Sequence, residues 1–409
     1  MTTSNIITSL MPTFFKALVD VNNEWTDEID AVYMNQSLEQ AAMNQTITYP
    51  ISLPKSTYTI ASQALPLDIN GETPGTGTMS INNIQAAAFK YTGEEQRQLA
   101  LGGISMKYLD DIKECLRAIR NAVSASVITA MNNSACRAIG TAGTTPFAFN
   151  GTTTSGMDMF GDVTAAMIDN GCPTSDVHMI LGGLATGALL KVPNLFRANE
   201  AGSDRQLRTG AIGKIEIFNV GSSSNIMSKH TTGGSSTTTS AAYALPTGGK
   251  SRVSVNISVA SSAGYGAGDL IVNSTADATR QYVVIAVPDA NTLTLAAPGP
   301  LVAWGNGDTI VATGKSGAGN PFIQNFAFQR NSVHLIARQP QLPTGIGGTG
   351  AGITGAVGTL VENRLLPDTR TGLIYQLCAW SEHRQIVVEV GLAWGVGVPN
   401  PQNLFVVLG

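Results

Sequence analysis

The chain has 409 residues, 43% of them hydrophobic, enough for a sizeable core spread over two or three domains. Only 13% are Asp, Glu, Lys or Arg, about half of the roughly 25% usual in soluble globular proteins, which points to a surface covered by a membrane or by other copies of the protein, with a loop-heavy, Gly/Ser/Thr-rich composition contributing as well. No run of about 18 apolar residues is free of polar breaks and Met1 to Asp20 carries no secretory pattern, which excludes a helical membrane protein; a net charge of -4 argues against gripping nucleic acid over a wide face but allows loose enclosure of it.

Residues 1–45 read as a short leader. Phe14, Leu18, Val21 and Trp25 recur at helical spacing, and helical character runs on to Met34. The acids Glu24, Asp27, Glu28 and Asp30 read as a solvated helix face. From Thr46 the texture changes to TITYPISLPKSTYTI, with Pro50 and Pro54 marking an exposed ribbon. A turn-like tip, NGETPGTGT (70–78), and MSINNIQAAAFKY (79–91) complete a two-stranded arm over 46–92. An isolated hairpin is marginal in water, so the arm is expected to lie on a neighbouring subunit. Lys55, Glu72, Thr73, Pro74 and Lys90 are its candidate contacts.

No Gly or Pro interrupts Ile104 to Ile139. Leu109, Ile112, Leu116, Ile119, Val123, Val127 and Met131 define one helical face over about 50 Å, with Gly140 as the stop. Arg117 and Arg120 fall largely off that face and are candidates for touching a neighbour or enclosed DNA. GDVTAAMID (161–169) reads as a helix, DVHMIL (176–181) as a buried strand, LATGALLK (184–191) as a short helix and KIEIFNV (214–220) as an alternating strand. TTGGSSTTTS (231–240) has the composition of a flexible linker. Short strand patterns follow at 252–259, 269–273, 281–287, 291–296 and 308–312, separated by turns, which predicts a small β-barrel or sandwich inserted over 235–318. Beyond it, FAFQRNSVHLIARQPQLP (326–343) is helix-like and then extended. A Gly-rich loop (344–359) and the strands 373–380 and 385–401 lead to NLFVVLG.

Chemical motifs are weak. ALPTGGKS (244–251) fits a relaxed P-loop with Ala244 for the first Gly, but a Ser/Thr linker precedes it and β-alternation follows, where a phosphate cradle needs a strand and then a helix. His178, His230, His334 and His383 are scattered, and Asp110 and Asp111 point about 100° apart on a helix. Cys115, Cys136, Cys172 and Cys378 read as buried free thiols. No catalytic, cofactor-binding or metal-binding residue is predicted.

Three segments carry a family likeness: RTGAIGKIEIFNVGSSSNI (208–226), NPFIQNFAFQRNSVHLIARQPQLP (320–343) and GLAWGVGVPNPQNLFVVLG (391–409), the last through Trp394, Gly395 and Pro399. The chain resembles the major capsid (coat) proteins of short-tailed bacteriophages with the Hong Kong 97-type fold, in the branch with an inserted β-barrel domain. The resemblance implies an α+β subunit with a leader at 1–45 and an extended loop at 46–92. A peripheral domain with a spine helix would occupy 93–144, and an axial domain 145–234 and 319–375. The inserted barrel would span 235–318 and the C-terminal strands 376–409. It implies a non-enzymatic virion protein, assembled in the host cytoplasm as pentamers and hexamers of itself around loosely enclosed double-stranded DNA. It also implies a portal protein and, because the arm starts near residue 46, a scaffolding protein on a separate chain. The rival readings are a phage tail or fibre protein or another β-rich surface-binding structural protein, such as a carbohydrate-binding module, and a P-loop enzyme.

Overall fold

The computed structural model describes residues 6–42, 44–51, 75–101, 105–149, 156–196, 213–246, 250–314, 321–342 and 359–409. The chain opens with α1 (Ile6–Asn22), α2 (Asp27–Ala31), β1 (Tyr33–Ala41), β2 (Gln45–Ile51), β3 (Gly75–Ile81), β4 (Asn83–Thr92), α3 (Gly93–Leu101) and α4 (Ser105–Ser134). It continues with β5 (Arg137–Ile139), α5 (Asp158–Asn170), β6 (Val177–Leu181), α6 (Gly183–Leu189), α7 (Pro193–Phe196), β7 (Lys214–Ile215), β8 (Phe218–Ser222) and β9 (Lys229–His230). Then follow β10 (Thr237–Thr238), β11 (Val255–Ser258), β12 (Leu270–Asn273), β13 (Asp277–Asp289), β14 (Thr292–Leu295) and β15 (Thr309–Thr313). The last strands are β16 (Phe322–Gln329), β17 (His334–Pro340), β18 (Thr359–Pro367), β19 (Ile374–Glu382), β20 (Gln385–Gly397) and β21 (Leu404–Leu408).

The chain divides into two compact units, one of residues 1–46, 79–128 and 334–397, the other of 47–78, 129–333 and 398–409. The first unit holds a sheet ordered β1-β17-β20-β19-β18, with β4 on the other side of β20. One face of this sheet is apolar and buried: Leu377 and Ala379 on β19, Val388, Val390 and Leu392 on β20, and Tyr91 on β4. That alternation is what a one-sided sheet requires. Trp394 extends the same face and its Nε1 donates to Ser126 of α4 at 3.0 Å.

Helix α4 keeps the predicted face: Ile112, Leu116, Ile119, Val123, Val127 and Met131 are all buried. Its 30 residues span about 45 Å. It ends before the expected stop, because Arg137–Ile139 form a strand instead: β5 pairs in parallel with β21 and antiparallel with β13. Two more expectations change here. Tyr33 and Met34, read as the end of a helical stretch, instead open β1, which pairs in parallel with β17. The β4 segment, read as the return leg of the arm, pairs with β20 along all of Asn83 to Thr92, so the ribbon's own pairing stops at Ile81.

In the second unit one 13-stranded sheet runs β10-β15-β12-β13-β5-β21-β16-β6-β8-β7, with β9, β11 and β14 attached. Residues 326–329 are strand and not helix. They belong to β16, which lies between β21 and β6 and is buried almost throughout, so its apolar run shows no alternation. KIEIFNV is not one strand but the hairpin β7–β8, with Glu216 at φ 51°. Helix α5 stops at Gly171 in the left-handed region, as its position predicts. A core of Phe147, Phe160, Val163, Met179, Phe218 and Phe405 joins α5 to the sheet.

The strands of residues 237–313 close on themselves. Pairing passes from β10 through β15, β12, β13 and β14 to β11. The Thr239–Val259 bridge, with Ser240 N donating to Ser258 O (3.0 Å) and Ala260 N to Thr238 O (2.8 Å), returns it to β10. Trp304, Tyr282, Ile257, Leu293, Leu295 and Ile310 fill the ring. Its leading segment is no loose linker. Thr232 and Thr239 are buried, and Thr239 Oγ1 donates to Gly305 O at 2.6 Å. Gly233 and Gly234 sit where a Cβ would run into Gly264 O and the Tyr265 ring. The Gly/Thr composition thus serves close packing, not flexibility.

Candidate functional site

The features read from the sequence as contacts to a neighbour are the β2–β3 ribbon and the charged face of α4. Strands β2 and β3 pair with each other and with no other described strand. Thr46, Thr48, Thr76 and Thr78 are exposed. Tyr49 lies over Gly77, where any Cβ would enter its ring, and burial raises its phenol above the ordinary value. Lys55, Glu72, Thr73 and Pro74 lie outside the described residues. Lys90 stands exposed on β4, opposite Val387 of β20.

Arg117 and Arg120 turn to the leader of their own chain. Arg117 Nε donates to Glu24 Oε1 at 2.8 Å and the guanidinium also binds Glu114; these bonds push its pKa further up. Arg120 is 1% exposed and donates from Nη1 to Asn22 Oδ1 and to Val21 O. Arg117 lies off the apolar face and meets Glu24 just past α1, whereas Arg120, expected largely off that face, is buried against the end of α1.

The leader is held by residues that sequence reading passed over. Glu362 of β18 accepts from Ile7 N (2.8 Å), Thr8 N (3.2 Å) and Thr8 Oγ1 (2.5 Å) at the start of α1. Burial works against its charge, but hydrogen bonds from Thr8, Arg364 and Ile7 outweigh it and hold the carboxyl below its usual range. Arg370 binds Asp30 Oδ2 at 2.7 Å and Asp27 Oδ1 at 3.0 Å, and Lys113 binds Asp20 at 2.7 Å. Burial raises Asp30, against the Arg370 pairing. Glu28, expected on a solvated face, is fully buried and accepts from Ser124 Oγ of α4. Nothing within the leader itself could have shown this, because the partners are distant in sequence.

The weak chemical motifs do not gather into a site among the described residues. Lys250 is exposed, and strand β11, not a helix, follows Ser251. His178 is half-buried against Phe328 and pairs with Asp176 at 2.9 Å; His230 pairs with Asp269 at 2.8 Å; His334 packs on Tyr33. Asp111 accepts from Tyr91. Burial pushes the thiols of Cys115 and Cys172 up to about 11 and of Cys136 and Cys378 up to about 12, away from thiolate chemistry. Among the described residues no group of three His, Cys, Asp or Glu could hold a metal, and no helix is long and apolar enough to cross a membrane.

No family model and no curated protein matches the chain. Solved structures do. A capsid structure of cyanophage P-SCSP1u is 11% identical, with 92% of this chain and 86% of that one covered and a TM-score of 0.45. The capsid of an empty GTA particle is 11% identical, covering 94% and 90%, with a TM-score of 0.43. A chain from Mycobacterium phage Che8 is 9% identical, covering 90% and 85%, with a TM-score of 0.42.

Proposed function

We propose that this chain is the major coat subunit of a tailed-bacteriophage head, a non-catalytic protein that assembles into an icosahedral shell around double-stranded DNA. The β2–β3 ribbon carries the reading. Its strands find no third strand among the described residues, and a two-stranded ribbon of this length is marginal in water, so it needs the surface of another subunit. The low charge of the chain supports the same conclusion. The phage assignment rests on the sequence resemblance, including Trp394, which is buried, and Gly395, which seats the chain at Ser80.

In this reading the first unit serves as the peripheral domain with α4 as its spine, and the second unit serves as the axial domain. Subunits form pentamers and hexamers through repeated heterologous contacts, made strong by their number. Lys90, and Lys55, Glu72, Thr73 and Pro74 of the arm expected from the sequence, are contacts to a neighbour. A separate scaffolding protein and a portal act as partners during assembly in the host cytoplasm. The tail or fibre alternative needs the β-rich insert to present itself as a free binding module. The hydrogen bonding of β13 to β5 ties it into the body's sheet instead.

The test is expression with the scaffolding protein, followed by sedimentation and negative-stain microscopy. Closed shells are expected. Subunits that stay monomeric, or that bind a glycan or ATP, would overturn the reading.

A further inference from the structure

We infer that the second unit carries both halves of a contact between copies of this chain: the exposed Ile168 of α5 on one copy enters an apolar cavity beside α6 on the next. The inference rests on the coat-subunit reading and names one of the contacts that reading requires.

Among the described residues the three most exposed large apolar side chains are Met227, Ile168 and Leu184, at 74%, 70% and 68%. Single exposed apolar residues need no explanation, but grouped ones mark interaction surfaces. Two of the three meet at one place. Leu184, the second residue of α6, and Met227, between β8 and β9, line a cavity of about 380 Å³ with Pro146, Ile226 and Ile323. Glycines shape this opening. Gly182 precedes α6 where a Cβ would run into Ile226 O at 2.7 Å, so the Ile226 backbone lies close against the helix start. Gly183 follows, and a Cβ there would meet nothing within 4 Å, which leaves the cavity open on that side. Asn325, the buried polar side chain on the wall, is already satisfied: it accepts from Gly182 N at 2.8 Å and donates to Val407 O at 3.1 Å. The cavity therefore suits an apolar occupant, not a hydrogen-bonding one.

The third exposed residue supplies the occupant. Ile168 stands in the last turn of α5, whose exposed positions are Asp158, Gly161, Asp162, Ala165 and Ile168. At about 100° per residue, Gly161, Ala165 and Ile168 form one flank of that surface, and Asp158 and Asp162 form the other. One large apolar side chain thus projects among small residues, with a carboxylate border. The helix holds three acids and no base. The cavity has the opposite sign: among the described residues the only charged side chain lining it is Lys229. An acid-bordered knob and a lysine-bordered cavity are complementary, and such complementarity decides which surfaces meet. A free apolar ligand would fill the cavity but leave Ile168 in water. The α5 of a second copy buries both and brings its acids toward Lys229. Knob and cavity lie on different elements of one chain, so each copy uses both. The contact is heterologous and passes from copy to copy around a ring instead of ending at a pair.

The test uses the full chain assembled with the scaffolding protein. Ile168→Cys and Met227→Cys are combined in one chain, and the shells are oxidised with diamide. A ladder of disulfide-linked multimers on a non-reducing gel is expected from the double variant and from neither single variant. Two further variants probe the energetics: Ile168→Ala removes the knob, and Gly183→Leu fills the cavity from a position where a side chain meets nothing. Each is expected to melt as wild type does, yet to need about tenfold more protein to assemble, the scale of one apolar side chain left unburied per contact. Combined, they should do no more damage than either alone, because both remove the same contact. Shells of the double-cysteine variant that give no ladder overturn the inference, and so does Ile168→Ala assembling at the wild-type concentration. Impaired assembly of Gly183→Leu with no ladder assigns the cavity to a different occupant and overturns it as well. Failure of wild type itself to form shells would defeat the coat reading instead.

Discussion

Replacing Glu362 with Ala should release the start of α1. Four protein donors converge on this carboxylate: Ile7 N, Thr8 N, Thr8 Oγ1 and Arg364 Nε. The first turn of a helix has no intrahelical partners for its N–H groups, and Ile7 is fully buried, so water cannot replace the carboxylate there. Leaving that donor unpaired costs about 1–3 kcal/mol, and losing the Thr8 bonds, which water partly replaces, adds about 1 kcal/mol. We expect a loss of about 2–4 kcal/mol for E362A and about half that for E362Q, whose amide can accept on one side only. Pro12 inside α1 removes a further helix hydrogen bond, so the unanchored helix should fray as far as that point. Urea titration gives the magnitude and hydrogen exchange over residues 6–22 gives the location. The Glu362 carboxyl is held below its unfolded value of 4.5. Its contribution is therefore complete above that pH and is lost as the pH falls through the lowered folded value. The gap between wild type and E362A should close in acid. Unchanged exchange in α1, or a gap constant with pH, would refute the reasoning.

Gly234→Ala drives a Cβ into the Tyr265 ring and should cost about 1–3 kcal/mol by overpacking, measured by urea titration; a neutral result would mean the segment is as loose as its composition suggests. Asp169→Ala leaves Arg137, a buried side chain, and Arg280 without the carboxylate they share. A loss of about 1–2 kcal/mol follows for Arg137, since Asp169 is 41% exposed and Arg280 keeps Asp277, and the intrinsic tryptophan fluorescence should shift at a lower denaturant concentration. Lys90→Ala should change subunit stability by less than about 0.5 kcal/mol while reducing shell yield in the assembly assay.

What the residues revealed depended on how local the physics was. The α4 face was readable because seven apolar positions repeat at steps of three and four, and strands β11 to β15 because short β-rich runs there are separated by turn residues. β1 and β16 were not readable as strands. β1 gains its identity from a parallel partner about three hundred residues away, and β16 is buried on both faces, so its periodicity vanishes. The leader acids looked solvated because their partners, Ser124 and Arg370, stand 96 and 340 positions from Glu28 and Asp30.

The placement of β5 bears on when a subunit becomes usable. This three-residue strand lies between β13 of the inserted ring and β21, and Cys136 N, just before it, bonds to Leu404 O, 268 positions away. During synthesis the ring strands can pair soon after they emerge, but the centre of the 13-stranded sheet stays open until residues 404–408 arrive. Until then β5 and β16 expose unpaired edges, the form in which strands join the wrong chain. Long-range closure of this kind is slow. In the coat-subunit reading, a nascent chain is thus kept from joining others through a finished sheet until residues 404–408 have been made, and the interval before closure is when aggregation competes with assembly.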